Sequence, residues 1–129
     1  MNLRDEHAIE TYKSLISIST EGFKALQLLN GGAAIALLAY LGQMAPKHPT
    51  ALLHAKRPLG WFIAGLVLST SIYITSYFTQ LQLHNENMGS KLAGAHKPWL
   101  WSSFFLALCS VVMFSVGAFS CVDALAAIP

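Results

Sequence analysis

The stretch "LNGGAAIALLAYLG", residues 29–42, supports two structures that exclude each other. Asn30-Gly31-Gly32 has the composition of a tight turn or a phosphate-cradling loop. The ten residues that follow have the composition of a membrane helix. A turn at the glycines would leave only residues 33–45 apolar before Pro46, about 13 residues or roughly 20 Å of helix. That is too short for a hydrocarbon core of about 30 Å. A turn inside hydrocarbon would also strand backbone N–H and C=O groups, at several kcal/mol apiece. Keeping the helix intact costs only about 1 kcal/mol per glycine relative to alanine. The helix wins. A phosphate loop fails on pattern too, because no G-x-G-x-x-G is present and no Lys-Ser/Thr follows the glycines.

The rest of the chain extends this result. Charged residues make up 11% of the sequence, against about 25% in soluble domains, and the mean hydropathy is +0.50. No charge falls between Lys24 and Lys47, between Arg57 and Glu86, or between Lys97 and Asp123. Each gap exceeds the roughly 20 residues a helix needs to cross a bilayer. The sequence therefore predicts an all-α membrane protein, with residues 1–129 forming a single membrane domain. Three transmembrane helices are expected at 24–45, 58–83 and 98–123, preceded by an amphipathic helix over 1–23 that is continuous with or adjoins the first. In that segment Ile9, Tyr12, Ile16, Phe23 and Leu26 recur at helical spacing, while Glu6, Glu10, Lys13, Glu21 and Lys24 fall mostly elsewhere. Pro46 ends the first span. Pro58 suits a first helical turn and opens the second, with room for a further helical turn or two over residues 50–56 before it, and Trp61 and Phe62 stand where an interfacial aromatic belt belongs. Pro98 opens the third, with Trp99 and Trp101 as anchors.

In lipid, helices associate through small faces and interhelical hydrogen bonds. Gly32, Ala36, Ala39 and Gln43 share one face of the first span by four-, three- and four-residue steps. The second span offers Gly65, Ser69, Ser76 and Gln80, and the third Ser103, Ala107, Ser110 and Gly117. Three small faces on three helices predict self-association, the alternative being that all three are consumed within one monomer. Asn30, near the start of the first span, is expected at the headgroup boundary, bonded to water or a neighbouring backbone. The alternative is a ring of amides around a symmetry axis.

Chemistry is scarce. His7, His48, His54, His84 and His96 all lie outside the spans or at their edges, where haem ligation between helices is not served. His84, Glu86 and His96 have irregular spacing for zinc and no cysteine beside them. Cys109 and Cys121 share one span at about 18 Å along its axis, far beyond disulfide reach. No Ser/His/Asp set or carboxylate pair is present, so no enzyme and no cofactor is expected. Asp123, at the end of the third span, is expected to snorkel to water. A net charge of +2 without a basic stripe argues against nucleic acid. The acidic N-terminal segment lacks the order of a cleavable leader, and no lipidation motif is evident.

The stretch "YKSLISISTEGFKALQLLNGGAAIALLAYLG", residues 12–42, resembles a family of small bacterial inner-membrane proteins. Its members join an amphipathic N-terminal helix to an L-N-G-G-A-A-x-A-L-L-A-[FY]-L-G first span. Gly65, Tyr77, Gln80 and Gly117 are compatible with it. The resemblance implies a bacterial inner membrane and the span assignment, and no active site. Five Lys/Arg on the N-terminal segment and second loop, against three on the first loop, predict a cytoplasmic N-terminus. Two functions from different classes follow. One is a self-assembling membrane protein, acting as a homo-oligomeric pore or membrane-perturbing effector. The other is an accessory or anchoring subunit packed against another membrane protein.

Overall fold

The computed structural model describes residues 3–44, 46–47, 51–90 and 93–126; His48 and Lys91 of the two connections lie outside them. Three helices account for nearly all of these residues: α1 Leu3–Met44, α2 Ala51–Asn87 and α3 Lys97–Ala126. Each is long and apolar enough to cross a membrane, and the chain is a multi-pass membrane protein. The amphipathic segment and the first span are one helix of 42 residues, about 63 Å long. Gly31 and Gly32 sit inside it without a break.

Pro58 does not open the second helix. Seven residues precede it in α2, and Pro58 lies inside with its ring fully buried. A proline in a helix frees the carbonyl four residues earlier. Here that is His54, near the exposed end of the helix, where water can take the vacated bond. At the other connection, Gly89 and Gly94 adopt φ of +72° and +98° and turn the chain into α3. Pro98 does fall in the first turn of α3, where its missing N–H is harmless.

The helices run up, down and up. Tyr12, Phe23, Gln27 and Asn30 of α1 meet Gln80, Tyr73, Thr70 and Gly65 of α2 in turn. Phe78, Thr75, Gly65 and Phe62 of α2 meet Trp99, Ser103, Ser110 and Gly117 of α3. The α2–α3 seam is the main interface. α1 leans on α2 and barely touches α3.

Candidate functional site

Asn30 joins all three helices. Its Nδ2 donates to the Leu26 carbonyl one turn back, at 3.0 Å, and to Ser110 Oγ of α3 at 3.1 Å. Ser110 Oγ in turn donates to the Gly65 carbonyl of α2 at 2.9 Å. Asn30, Ser69 and Ser110 are all fully buried. Gly65 makes the approach possible: a Cβ there would overlap the Asn30 carboxamide, lying 2.6 Å from its Cγ. Asn30 Oδ1 meets no N–H or O–H donor among the described residues. It rests over the Gly65 backbone, where the Cα hydrogens offer a weak C–H···O contact.

This placement corrects two expectations. Asn30 is not at the headgroup boundary, because it lies level with Ser110, midway along the apolar stretch of α3. Nor does it ring a shared axis, because its amide faces its own chain. The cause is register. α1 packs with Phe23 edge-on to Tyr73, so its first half runs beside the apolar part of α2.

The other small residues divide into two sets. Gly117 lies beneath the Phe62 ring, with an added Cβ at 2.8 Å from Cε1, and Phe62 packs on Phe114. Gly65, Ser69 and Gly117 are thus helix contacts within the chain, whereas Ser76 is half-buried and lines an open groove. On α1, Ala36, Ala39 and Gln43 are exposed, and nothing lies within 4 Å of a Cβ added to Gly32. Gly32, Ala39 and Gln43 thus face away from the rest of the protomer, whereas Ala36 edges a cleft.

Recesses flank the Asn30–Ser110 bond. Towards the α1 C-terminus, a cleft of about 410 Å³ is walled by Ala33, Ala36, Phe62, Phe114 and Cys121. Towards the α1 N-terminus, a groove of about 580 Å³ lies between α1, α2 and α3. A smaller recess of about 240 Å³ on the α2–α3 pair holds His54, Arg57, Ser120 and Asp123. Asp123 is exposed there.

At the mouth of the larger groove, the α2–α3 turn folds around one carboxylate. Glu86 accepts the Gly94 N–H at 3.0 Å, the His96 N–H at 2.8 Å, and His96 Nδ1 at 3.0 Å. The Gly94 amide, opposed by partial burial and helped by His96, lowers the Glu86 pKa from 4.5 to about 2. Glu86 lies beyond the apolar stretch of α2, so this clasp sits at the aqueous end. The sequence places Glu86 and His96 in one loop without indicating that they bond. The two positive-φ glycines, which let the turn close on the carboxylate, were the available signal. Among the described residues no three of His, Cys, Asp and Glu gather as a metal site requires. Both cysteines are free.

Compared with known proteins, the chain matches no family model, no curated protein and no solved structure.

Proposed function

We propose that this protein self-associates in the bacterial inner membrane through the outer face of α1, its N-terminus cytoplasmic, and forms a homo-oligomeric pore or membrane-acting assembly. One observation carries the proposal: a polar strip on α1 runs level with the apolar stretches of α2 and α3. Phe23 packs on Tyr73, about 13 residues before Glu86 along α2, or roughly 20 Å below the aqueous clasp. Lys24 and Glu21, ion-paired at 2.8 Å, stand exposed at that level, and Ser17, Lys13 and Glu10 continue the strip. At the same depth α3 turns Trp101, Phe104 and Phe105 outward, as suits lipid. Charged groups against hydrocarbon are costly, at roughly 2.5–3.5 kcal/mol each at the centre of a span. Water or like strips from other copies remove that cost.

At 100° per residue, the strip and the Gly32–Ala36–Ala39 face lie roughly a quarter turn apart, both away from the packed side. Each copy can therefore meet a neighbour through the small face while its polar strip looks to a common centre. Native mass spectrometry of the protein in mild detergent tests this. A discrete oligomer is expected, and Gly32→Leu should dissociate it at least tenfold without changing helix content, since the space at Gly32 is open. A protein that is only monomeric would overturn the proposal. Stability that depends on a co-expressed membrane partner would favour an anchoring subunit instead. Conductance across planar bilayers then separates a pore from a closed assembly.

A further inference from the structure

The groove of about 580 Å³ between the three helices has a depth, a wall and a mouth that point to one kind of occupant. Along α1 it extends from Tyr12 to Phe23, and along α2 from Tyr73 to Leu83. Ten or eleven helical residues rise about 15–17 Å, which matches half of a hydrocarbon core of about 30 Å. Its inner end stops short of the Asn30–Ser110 bond that closes α1 against α3.

The wall asks for an apolar guest. Four of its hydroxyls are already committed to their own helices: Ser19 to Leu15, Thr20 to Ile16, Thr79 to Thr75, and Ser103 to Trp99. Leu15, Ile16, Phe23, Leu83 and Leu100 make most of the remaining wall apolar. The volume falls within the roughly 300–1,000 Å³ of sites for small molecules.

The mouth is polar. His96 lines it with Nδ1 held by Glu86, so the ring is fixed and Nε2 is left without a partner among the described residues. Lys97 follows at once, its stem lying along Gly94. Glu86, the acid beside them, is already occupied by three donors.

We infer that this groove binds one acyl chain of a phospholipid from the adjoining leaflet, with the lipid phosphate against the Lys97 ammonium and accepting from His96 Nε2 when the ring carries both protons. The test is native mass spectrometry of the full chain released from nanodiscs of phosphatidylglycerol. Retention of phosphatidylglycerol at activation that strips bulk lipid is expected. Ser76→Phe, from the α2 wall, and Ser19→Phe, from the exposed α1 wall, should each cut it at least tenfold. Val67→Phe, on an exposed face elsewhere, should not. His96→Gln should cut retention several-fold, whereas retention of diacylglycerol, which lacks the phosphate, should be weak and indifferent to His96→Gln. Equal retention by wild type and both groove-filling variants overturns the assignment, as does a wild type that retains no lipid. Diacylglycerol held as firmly as phosphatidylglycerol overturns the phosphate contact. Because Ser19 is exposed, its variant reads the groove even if Ser76→Phe fails to fold.

Discussion

α2 and α3 are joined along most of their length, whereas α1 is held mainly through α2 and touches α3 at few points. The α2–α3 seam has a stacked pair at Phe78–Trp99, with centroids 4.6 Å apart, a Thr75–Ser103 hydroxyl bond of 2.7 Å, and Phe62 lying on Gly117. α1 has Asn30 set into the notch at Gly65, flanked by long polar contacts such as Gln27–Thr70 at 3.2 Å and Tyr12–Gln80 at 3.4 Å. Both interfaces rely on small residues that let backbones approach. The difference is in what fills the space. At Gly117 it is an aromatic ring, which brings dispersion and no polar demand. At Gly65 it is a carboxamide, which must find hydrogen bonds in a medium without water. α1 is therefore located by a polar lock and α2–α3 by packing, so the two should respond differently to substitution.

Gly65→Val should have the largest effect, because it strikes the lock and the seam together. The new side chain overlaps the Asn30 carboxamide and displaces the helix bearing it. Overpacking costs about 1–3 kcal/mol and occasionally more, and here the upper end, about 3 kcal/mol, is expected in a detergent unfolding titration. Gly32→Val is the matched control. The same change on the open face of α1 should leave protomer stability within about 0.5 kcal/mol, and any loss should appear in oligomer mass.

Gly117→Ala isolates the seam. A single methyl at 2.8 Å from Phe62 forces a ring that is itself buried and packed on Phe114. A loss of about 2 kcal/mol is expected, with α1 still docked. Asn30→Leu isolates the lock. Leucine keeps most of the volume but loses both donated bonds, and interhelical hydrogen bonds in membranes contribute about 0.6 kcal/mol on average and up to roughly 2. A loss of about 1 kcal/mol is expected, with faster hydrogen exchange in the first half of α1 and little change in α3. Equal exchange in both helices would show that Asn30 is not what locates α1.

The number and identity of the helices were legible in the sequence, since a charge-free run longer than a bilayer permits few structures in lipid. The continuity of α1 through Gly31-Gly32 was legible for the same reason. Register was not. Charge gaps measure the length of each helix separately, and nothing in them says that Phe23 should meet Tyr73 and so set Lys24 level with the apolar stretch of α2. Asn30 was misplaced for that reason, because its burial depends on a glycine 35 positions away in another helix. At Pro58 the two local signals diverge: proline favours a first turn, but the helical turns that residues 50–56 allow before it do form, and α2 tolerates the proline further in because the freed carbonyl lies near water. Among the small faces, Gly65 and Gly117 could not be told from Gly32 and Ala36 by spacing alone. What separates them is whether a large side chain from a neighbour reaches in.

The smallest effect belongs to the turn that joins the seam's two helices, and it sharpens the comparison by leaving α1 aside. Glu86 is held below its ordinary pKa, from 4.5 to about 2, chiefly by the Gly94 amide and then by His96. A carboxyl whose folded pKa is depressed stabilises the fold fully above its unfolded value, and that contribution fades as pH falls through the folded value. The clasp should therefore hold its full strength above about pH 4.5 and lose it progressively towards pH 2. Trp99, stacked on Phe78 just beyond the turn, is a local reporter. In a Trp61→Phe, Trp101→Phe background, its emission should change across that window, while exchange in the Asn30 region stays constant. Glu86→Gln removes the charge and keeps one carbonyl oxygen, which can replace the acceptor of the Gly94 amide or of the His96 amide but not of both, since these bond different carboxylate oxygens. It should abolish the acid-dependent change without unfolding the seam. An unaltered acid transition in Glu86→Gln would mean that another group controls the turn.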